Sequence, residues 1–258
     1  MDTPPFLDTN RPDVPNMVVS GGVTPFYLER SPVRGRLVRL GPLADAILSR
    51  HDNPDAVSQL GGEALALVAA MVSALKFKGA FSLQIKGDGP VSMLVTDATD
   101  SGDLRFFARL REDADRDALP ETAKGLLGDG YMAFTIDQGP DMDRHQGIVD
   151  LTGTTLADMA VNYFQTSEQH DCWIRLFCAK SADGWKAGAL VLERIAAEGG
   201  IEASEQDEDA WETACTLAAT VTEQEILDPD LSNERLIQRL FGTLDVRVGT
   251  PRALAYGC

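Results

Sequence analysis

Two hydrophobic periods divide the first half of the chain. Over residues 57–75 apolar side chains recur every three or four positions, which predicts one long helix with a broad apolar face, capped at Asn53. Gly61 and Gly62 lie inside that helix and each costs about 1 kcal/mol relative to alanine, which suggests that another backbone approaches closely there. Over residues 80–110 the period changes to two, which predicts three strands joined by short turns.

Short strand-like segments continue along the chain. A first pair is predicted within residues 26–40, meeting at Ser31, with Glu29, Arg36 and Arg39 on the solvent side. Four further strands are predicted at residues 131–136, 147–151, 173–178 and 189–194, with a helix at 155–166 among them. Strands outnumber helices and the hairpin links are short, so the sequence predicts an α+β fold with a largely antiparallel sheet.

Composition divides the chain into segments. Residues 1–20 contain four prolines among polar residues, which is typical of a flexible arm, and residues 21–196 form the predicted α+β core. Residues 197–245, the linker module, contain 13 acidic and 2 basic side chains, or −11 of the formal net charge of −17. This change in charge indicates a separate unit.

The linker module is predicted to contain two amphipathic helices. The first covers residues 205–221, and the second begins at Ser232, whose side chain can cap a helix, and ends at Gly242. Their apolar faces have to pack on something, and the preceding β domain is the expected partner. The residues expected to form this movable cover are Trp211, Val221, Leu236, Ile237, Leu240 and Phe241.

Charge and length exclude several classes of protein. The 258 residues carry a sequence pI near 4.5, so nucleic-acid backbones and anionic lipid surfaces would repel the chain. The longest nearly apolar stretch, residues 64–75, is shorter than the ~20 residues that span a bilayer. The N-terminal segment lacks the pattern of a secretory signal. A cytoplasmic protein with no nucleic-acid or membrane partner is therefore predicted.

The candidate chemistry is sparse. The segment Gly87-Asp88-Gly89 leads into a strand, so it indicates a hairpin turn and not a phosphate loop. His170 and Cys172 are near neighbours, but a strand would point adjacent residues to opposite faces. Cys172 and Cys178 lie six residues apart, roughly 20 Å along a strand, too far to share a metal. Cys172, Cys178 and Cys215 are all expected to be small buried residues.

Five segments in register resemble the 33 kDa chaperonins, the redox-regulated heat-shock holdases of the bacterial cytosol. The resemblance runs from about Val23 to Cys258. The segments are residues 34–40, 75–98, 146–149, 163–169 and 236–241. The resemblance implies an ATP-independent chaperone that binds unfolded or partly unfolded clients, is not an enzyme, and allows a homodimer.

The resemblance also implies a zinc site. In that family a small C-terminal domain binds one zinc through C-x-C and C-x-x-C cysteines, and Cys258 falls where the first ligand would stand. Residues 246–258 would then begin that region, and the coding sequence is expected to continue past them. One cysteine cannot supply four ligands, so this chain is expected to bind no zinc and to show partial activity without an oxidant.

Two alternatives from other classes stay open at this point. One is an enzyme that uses Cys172 or Cys178 as a nucleophile, and the other is an acidic adaptor that binds a single partner through the linker helices. Suppression of aggregation of an unrelated protein would distinguish the chaperone from both.

Overall fold

The computed structural model describes residues 17–29, 31–74, 79–138, 144–195 and 204–257. Its strands are β1 Val18–Leu28, β2 Val33–Arg39, β3 Ala80–Gly87, β4 Val91–Thr99, β5 Asp103–Leu110, β6 Gly130–Asp137, β7 His145–Asp150, β8 Cys172–Ser181, β9 Gly184–Arg194, β10 Val246–Val248 and β11 Arg252–Tyr256. Its helices are α1 Pro42–Leu48, α2 Asp55–Val72, α3 Ala123–Leu127, α4 Leu156–Thr166, α5 Glu205–Ala218, α6 Glu223–Leu227 and α7 Asn233–Phe241, followed by a 3₁₀ turn, Gly242–Leu244.

The strands form one sheet in the order β7-β6-β3-β4-β5-β11-β1-β2-β9-β8, and β10 also pairs with β1. Within the described part of the chain, the β11–β5 pair is parallel and the other pairs are antiparallel. The predicted α+β fold with a largely antiparallel sheet is confirmed.

Helix α2 fills the core on one face of the sheet, which we call the main core. Fourteen of its 18 residues are buried, as the apolar spacing predicts. The helix is long and apolar enough to cross a membrane, but 78% of it is buried inside the fold, as in the core helix of a soluble protein. The two glycines of α2 allow close packing, but the groups that approach them are side chains and not another backbone. A Cβ on Gly61 would lie 2.4 Å from the Phe106 ring, and a Cβ on Gly62 would lie 2.3 Å from Cys178 Sγ.

The opposite face of the sheet carries a second core, beneath the linker module. Its sheet side comes from strands β1, β2, β8 and β9, and its other side comes from α5, α6 and α7. The second core consists of Phe26, Leu28, Val33, Leu37, Phe177, Leu190, Leu192, Ala214, Ala218, Val221, Ile226, Leu236, Ile237, Leu240 and Phe241. Strand β9 is enclosed on both faces, so residues 187–192 are buried without alternation.

Two predicted positions on the first strand pair are wrong. Arg36 is only 5% exposed, because its guanidinium lies 2.7 Å from Glu193 Oε2 on the neighbouring strand. Arg39 is partly buried beneath the linker module, whereas Glu29 is exposed as expected. A buried arginine of this kind needs a carboxylate partner that is remote in sequence.

The ends of the predicted segments also differ from the structure. Strand β1 begins at Val18, inside the predicted arm, because its first residues pair with β11. Of the arm, residues 1–16 lie outside the described part. The region predicted to begin a zinc domain instead returns to the sheet, since β10 and β11 pair with β1 and β11 also pairs with β5. The division into separate domains stays a prediction.

Candidate functional site

The candidate site is the apolar sheet face beneath the linker module. Phe26 and Leu37 are fully buried there, with Leu190 and Leu192 from strand β9 beside them. Gly35 makes room for this packing, because a Cβ at that position would lie 2.0 Å from the Phe26 ring. A face of this composition has to be enclosed or it would be an exposed hydrophobic patch.

The linker module encloses that face with the residues predicted from the sequence. Val221, Leu236, Ile237, Leu240 and Phe241 are at most 2% exposed, and all five belong to the second core. Trp211 packs against the cluster but is only partly buried.

One aromatic contact crosses the interface at its centre. The rings of Phe241 on α7 and Phe26 on β1 stack with centroids 5.0 Å apart and planes inclined by 26°. Such a pair adds about 0.5–1.5 kcal/mol beyond the burial of its area. The stack therefore ties the end of α7 to the sheet.

Among the buried residues of the linker module, Ile226 was not predicted, whereas Ala214 and Ala218 lie on the apolar face expected of the first linker helix. Ile226 lies on the short helix α6. This helix was not predicted, because Asp228-Pro229 interrupts the apolar pattern directly after it. A signal for α6 was present, since Thr222 and Glu225 form a capping box of the T-x-x-E type. On the sheet side, the uninterrupted apolar run 187–192 indicated a strand covered on both faces.

Polar contacts hold the rim of the linker module to the sheet. The Arg39 guanidinium donates to the backbone carbonyls of Glu225, at 2.5 Å, and Leu231. Arg175 Nη1 donates to Ala219 O at 2.8 Å. Asn233 Nδ2 donates to Thr24 Oγ1 at 2.8 Å and to a backbone carbonyl of β1 at 3.0 Å. Two of the acceptors, the carbonyls of Glu225 on α6 and of Ala219 at the C-cap of α5, lie at helix C-terminal ends, where a helix leaves its carbonyls unpaired.

One ion pair links α5 to strand β9. The Arg194 guanidinium binds both carboxylate oxygens of Glu208, at 2.7 and 3.1 Å. Arg194 is largely covered, with a side chain 14% exposed, but the Glu208 side chain is 53% exposed. Exposed pairs contribute about 0–1 kcal/mol, so this contact orients α5 more than it holds it.

Two acidic side chains oppose each other near the joint between α2 and the linker module. The pKa of Glu63 is raised to about 7, mainly by burial and to a smaller extent by the negative charge of Glu223 at the start of α6. At neutral pH a charged Glu63 therefore costs free energy next to the docked module. The free energy of unfolding is therefore expected to depend on the protonation of Glu63.

The three described cysteines are poor nucleophiles. Burial raises the pKa of Cys172 to about 12 and that of Cys215 to about 11, and it raises the pKa of Cys178 as well. A thiol with a raised pKa stays protonated near neutral pH and reacts slowly. Cys172 and Cys178 are both buried in the main core, as predicted.

The described residues do not fit a zinc site. Among residues 17–257, apart from the short gaps in the description, no three His, Cys, Asp or Glu side chains are grouped so that they could hold a metal ion. Cys258, the predicted first ligand, lies outside the described residues. We therefore derive no step of the mechanism through zinc.

Comparison with known proteins shows which family the chain resembles. Residues 22–258 match the sequence profile of a family described as Hsp33 protein. A relative from Caulobacter vibrioides (strain NA1000 / CB15N), named 33 kDa chaperonin, is 40% identical over 249 residues, covering 93% of this chain and 82% of its own. Another of that name, from Pseudomonas fluorescens (strain SBW25), is 34% identical over 233 residues, covering 90% of this chain and 74% of its own.

A solved structure shares the fold. The crystal structure of a 33 kDa chaperonin (heat shock protein 33 homolog) from Thermotoga maritima matches with a TM-score of 0.72 and 20% sequence identity. The match covers 92% of this chain and 80% of the other. At that identity the likeness shows the fold alone.

Proposed function

The chain belongs to the Hsp33 protein family, and from that membership we propose that it is a chaperone of the cytoplasm that holds unfolding proteins without ATP and under redox control. The observation that carries the proposal is the second core. It is a broad apolar sheet face that a strongly acidic module encloses.

The mechanism follows from what each side of that interface can do alone. Helix α5 buries only Ala214 and Ala218 among its 14 residues, so it gains little from docking. Isolated helices of this length are marginal in water. When the module leaves, Phe26, Leu37 and Leu190 become exposed as one apolar patch. Unfolding proteins expose apolar segments of their own, and burying both surfaces together is favourable at about 25 cal/mol per Å².

The negative charge of the linker module also fits a protein that holds unfolding clients in solution. The released linker module carries a net charge of −11, and a complex with so much charge of one sign resists association with further copies. Binding energy comes from hydration changes and not from a nucleotide, so no ATP site is needed. The clients we propose are unfolded or partly unfolded proteins.

Redox control is the more specific part of the proposed function. Cys172 and Cys178 are buried in the docked state, Cys215 is partly buried, and the pKa values of all three thiols are raised, so they are poor sensors there. We place the sensor at Cys258, as the first of the zinc ligands that the family resemblance implies. Oxidation of the Cys258 thiol would have to weaken the docking of the linker module, which would shift the population toward the undocked state.

The test is light scattering of thermally unfolded citrate synthase, with and without this chain, in the absence of ATP. We expect partial suppression of scattering with reductant present and stronger suppression after peroxide. Scattering unaffected by the chain under both conditions would exclude the holdase. Equal suppression under both would remove the redox part and leave the holdase.

The two alternatives predict other outcomes. The cysteine enzyme is disfavoured by the raised thiol pKa values, and it would require turnover that is lost in a Cys172→Ala or Cys178→Ala variant. The adaptor would bind one partner saturably and leave citrate synthase aggregation unchanged. An exposed partner surface for the adaptor would be the acidic outer side of α5.

A further inference from the structure

Strand β7 forms one end of the strand order of the sheet, and β8, which lies under the linker module, forms the other end. No strand among the described residues pairs with its outer edge. His145, Gln146, Ile148 and Asp150 are exposed, and Ile148 is 57% exposed. Natural edge strands usually carry charges or proline that prevent pairing, but the centre of β7 carries neither.

The hydrogen-bond register shows which backbone groups point outward. Leu151 N–H donates to Gly130 O at 2.9 Å, and these two residues continue the pairing of β7 with β6. In an antiparallel ladder every second residue bonds to the partner strand, and the residues between them point away. Gln146, Ile148 and Asp150 therefore present their N–H and C=O groups to the free edge.

A cleft opens beside this edge on the helix side of the sheet. It has a volume of about 570 Å³, within the range of ligand sites, and β7 contributes Gly147 to its wall. Phe134 lies at its base and packs against Tyr163 and Phe164 of α4, with ring centroids 4.5 and 5.7 Å away. The cleft is thus large enough for an aromatic side chain; Phe134 and Tyr163 are at most 3% exposed, so the partly exposed ring of Phe164 is the one that can contact such a side chain.

Polar groups at the rim of the cleft are suited to a backbone or a polar side chain. Tyr163 Oη donates to Glu168 Oε1 at 2.8 Å, which fixes the phenol at the rim. His170 Nε2 is buried and has no hydrogen-bond partner within the described ranges, although Glu193 Oε1 lies 4.0 Å away. A buried polar atom without a partner gains from any ligand that can pair with it.

We propose that β7 and this cleft form a second binding site, for an extended polypeptide segment that adds to the sheet as an edge strand and places an aromatic side chain in the cleft. The occupant is an extended polypeptide because a row of outward N–H and C=O groups at strand spacing is matched by another strand. The cleft is present with the linker module docked, so the site is open in that state, although its wall also includes Glu193, the neighbour of the Arg194 that binds α5.

The proposal deepens the proposed function, since unfolded clients supply extended segments of this kind. It assigns the docked state a weak capture site that does not depend on release of the module. It also explains two segments singled out by the sequence, residues 146–149 and 163–169, which the second core does not use. Both segments line the cleft.

The test uses two fluorescein-labelled ten-residue peptides, read by fluorescence anisotropy against the full chain. One alternates phenylalanine with threonine and the other alternates alanine with threonine, each flanked by one lysine and one glutamate. We expect the phenylalanine peptide to bind several-fold more tightly. Equal affinity of the two peptides would overturn the cleft as part of the site.

A matched pair of variants isolates the edge. Ile148→Pro removes one outward N–H without breaking a bond to β6, and proline is tolerated at such edge positions. It should weaken the phenylalanine peptide about fivefold, the loss of one hydrogen bond. Ile148→Thr keeps the N–H and should stay within about twofold. Circular dichroism and thermal melting confirm that both variants fold.

The outcomes separate this proposal from the proposed function. Unchanged peptide affinity in Ile148→Pro, with aggregation suppression intact, would overturn the edge site and leave the holdase in place. A change from dimer to monomer in Ile148→Pro, seen by analytical ultracentrifugation, would show that a second copy occupies the edge and would also overturn it.

Discussion

The sheet carries two cores on its opposite faces, and they differ in what encloses them. The main core lies under α2, of whose 18 residues 14 are buried. The second core lies under α5, α6 and α7, and α5 buries only two of its 14 residues. One core is therefore enclosed by a helix that cannot exist without it. The other is enclosed by helices that water solvates on most of their surface.

This difference teaches how one chain can be both stable and able to open. Removing α2 would expose apolar surface on the helix and on the sheet, so the main core opens only with global unfolding. Removing the linker module exposes the sheet face and a thin stripe on each helix, while the acidic remainder stays in water. Local opening of this kind needs less free energy than global unfolding.

The largest expected effect comes from a cavity in the main core. Leu67 on α2 is fully buried, so Leu67→Ala should lower the free energy of unfolding by about 2–5 kcal/mol. Urea unfolding followed by circular dichroism measures the change. Gln59→Ala, at an exposed position of the same helix, is the control and should leave stability nearly unchanged. A small loss for Leu67→Ala would mean that the two cores do not differ as described.

Placing a charge in the second core should affect the second core and leave the main core intact. Leu240→Glu buries a carboxylate against Phe26 and its neighbours, so the linker module should undock while the main core stays folded. Limited proteolysis should then cut within residues 204–245 several-fold faster, and suppression of citrate synthase aggregation should increase.

Gln238→Glu provides the matched control for that variant. Residue 238 lies on the exposed side of the same helix, so it gains the same charge without entering the second core. We expect proteolysis and chaperone activity like those of the unmodified chain. If Leu240→Glu lowers activity while the module undocks, the client binds the same face of α7 and not the sheet.

A smaller effect on the free energy of unfolding is expected from a change of pH, through Glu63 at the joint of the two regions. The pKa of Glu63 is raised from 4.5 to about 7, so between those values the folded state binds more protons than the unfolded state. The stability contribution of protonated Glu63 is complete below pH 4.5 and is lost as pH rises through about 7. Its loss should lower the free energy of unfolding by about 1–3 kcal/mol.

Glu63→Gln tests the assignment of that pH dependence. The variant should be more stable than the unmodified chain at pH 8 and should show a flatter profile between pH 5 and 8. Glu121→Gln, at an exposed loop position, should leave the profile unchanged. A profile that is the same in Glu63→Gln would place the titrating group elsewhere.

The smallest effect is expected for the ion pair at the rim. Glu208→Gln removes the charge that Arg194 binds, and it should change the opening free energy of α5 by less than about 1 kcal/mol. Hydrogen exchange of α5 at low and high salt measures it, and the difference between variant and parent should shrink at high salt. A larger, salt-independent loss would make this pair a principal anchor of the module.

Much of the fold could be predicted because its determinants are local. The apolar spacing of α2, the alternation in β3 and the Ser232 cap of α7 lie within single segments. The six proposed cover residues could be chosen for the same reason, since a helix with one apolar stripe identifies its buried side by itself. Five of the six are buried in the second core.

Features that depend on distant partners could not be predicted. Arg36 was placed in water because its partner, Glu193, lies on a strand far along the chain. Strand β11 pairs with β5 and β1, and nothing within residues 252–256 indicates either partner. The sheet side of the second core was missed as well, because a strand pattern shows that a face is apolar but not which element covers it.

Native-state hydrogen exchange tests the central claim most directly, when opening free energies are read for α7 and α2 in one sample of the full chain. The linker module is a removable cover, so amides of α7 should exchange through an opening that costs less than global unfolding, while amides of α2 exchange only with it. Leu240→Glu should lower the first value and leave the second nearly unchanged. Equal opening free energies for the two helices would show that they open together, and would contradict the account.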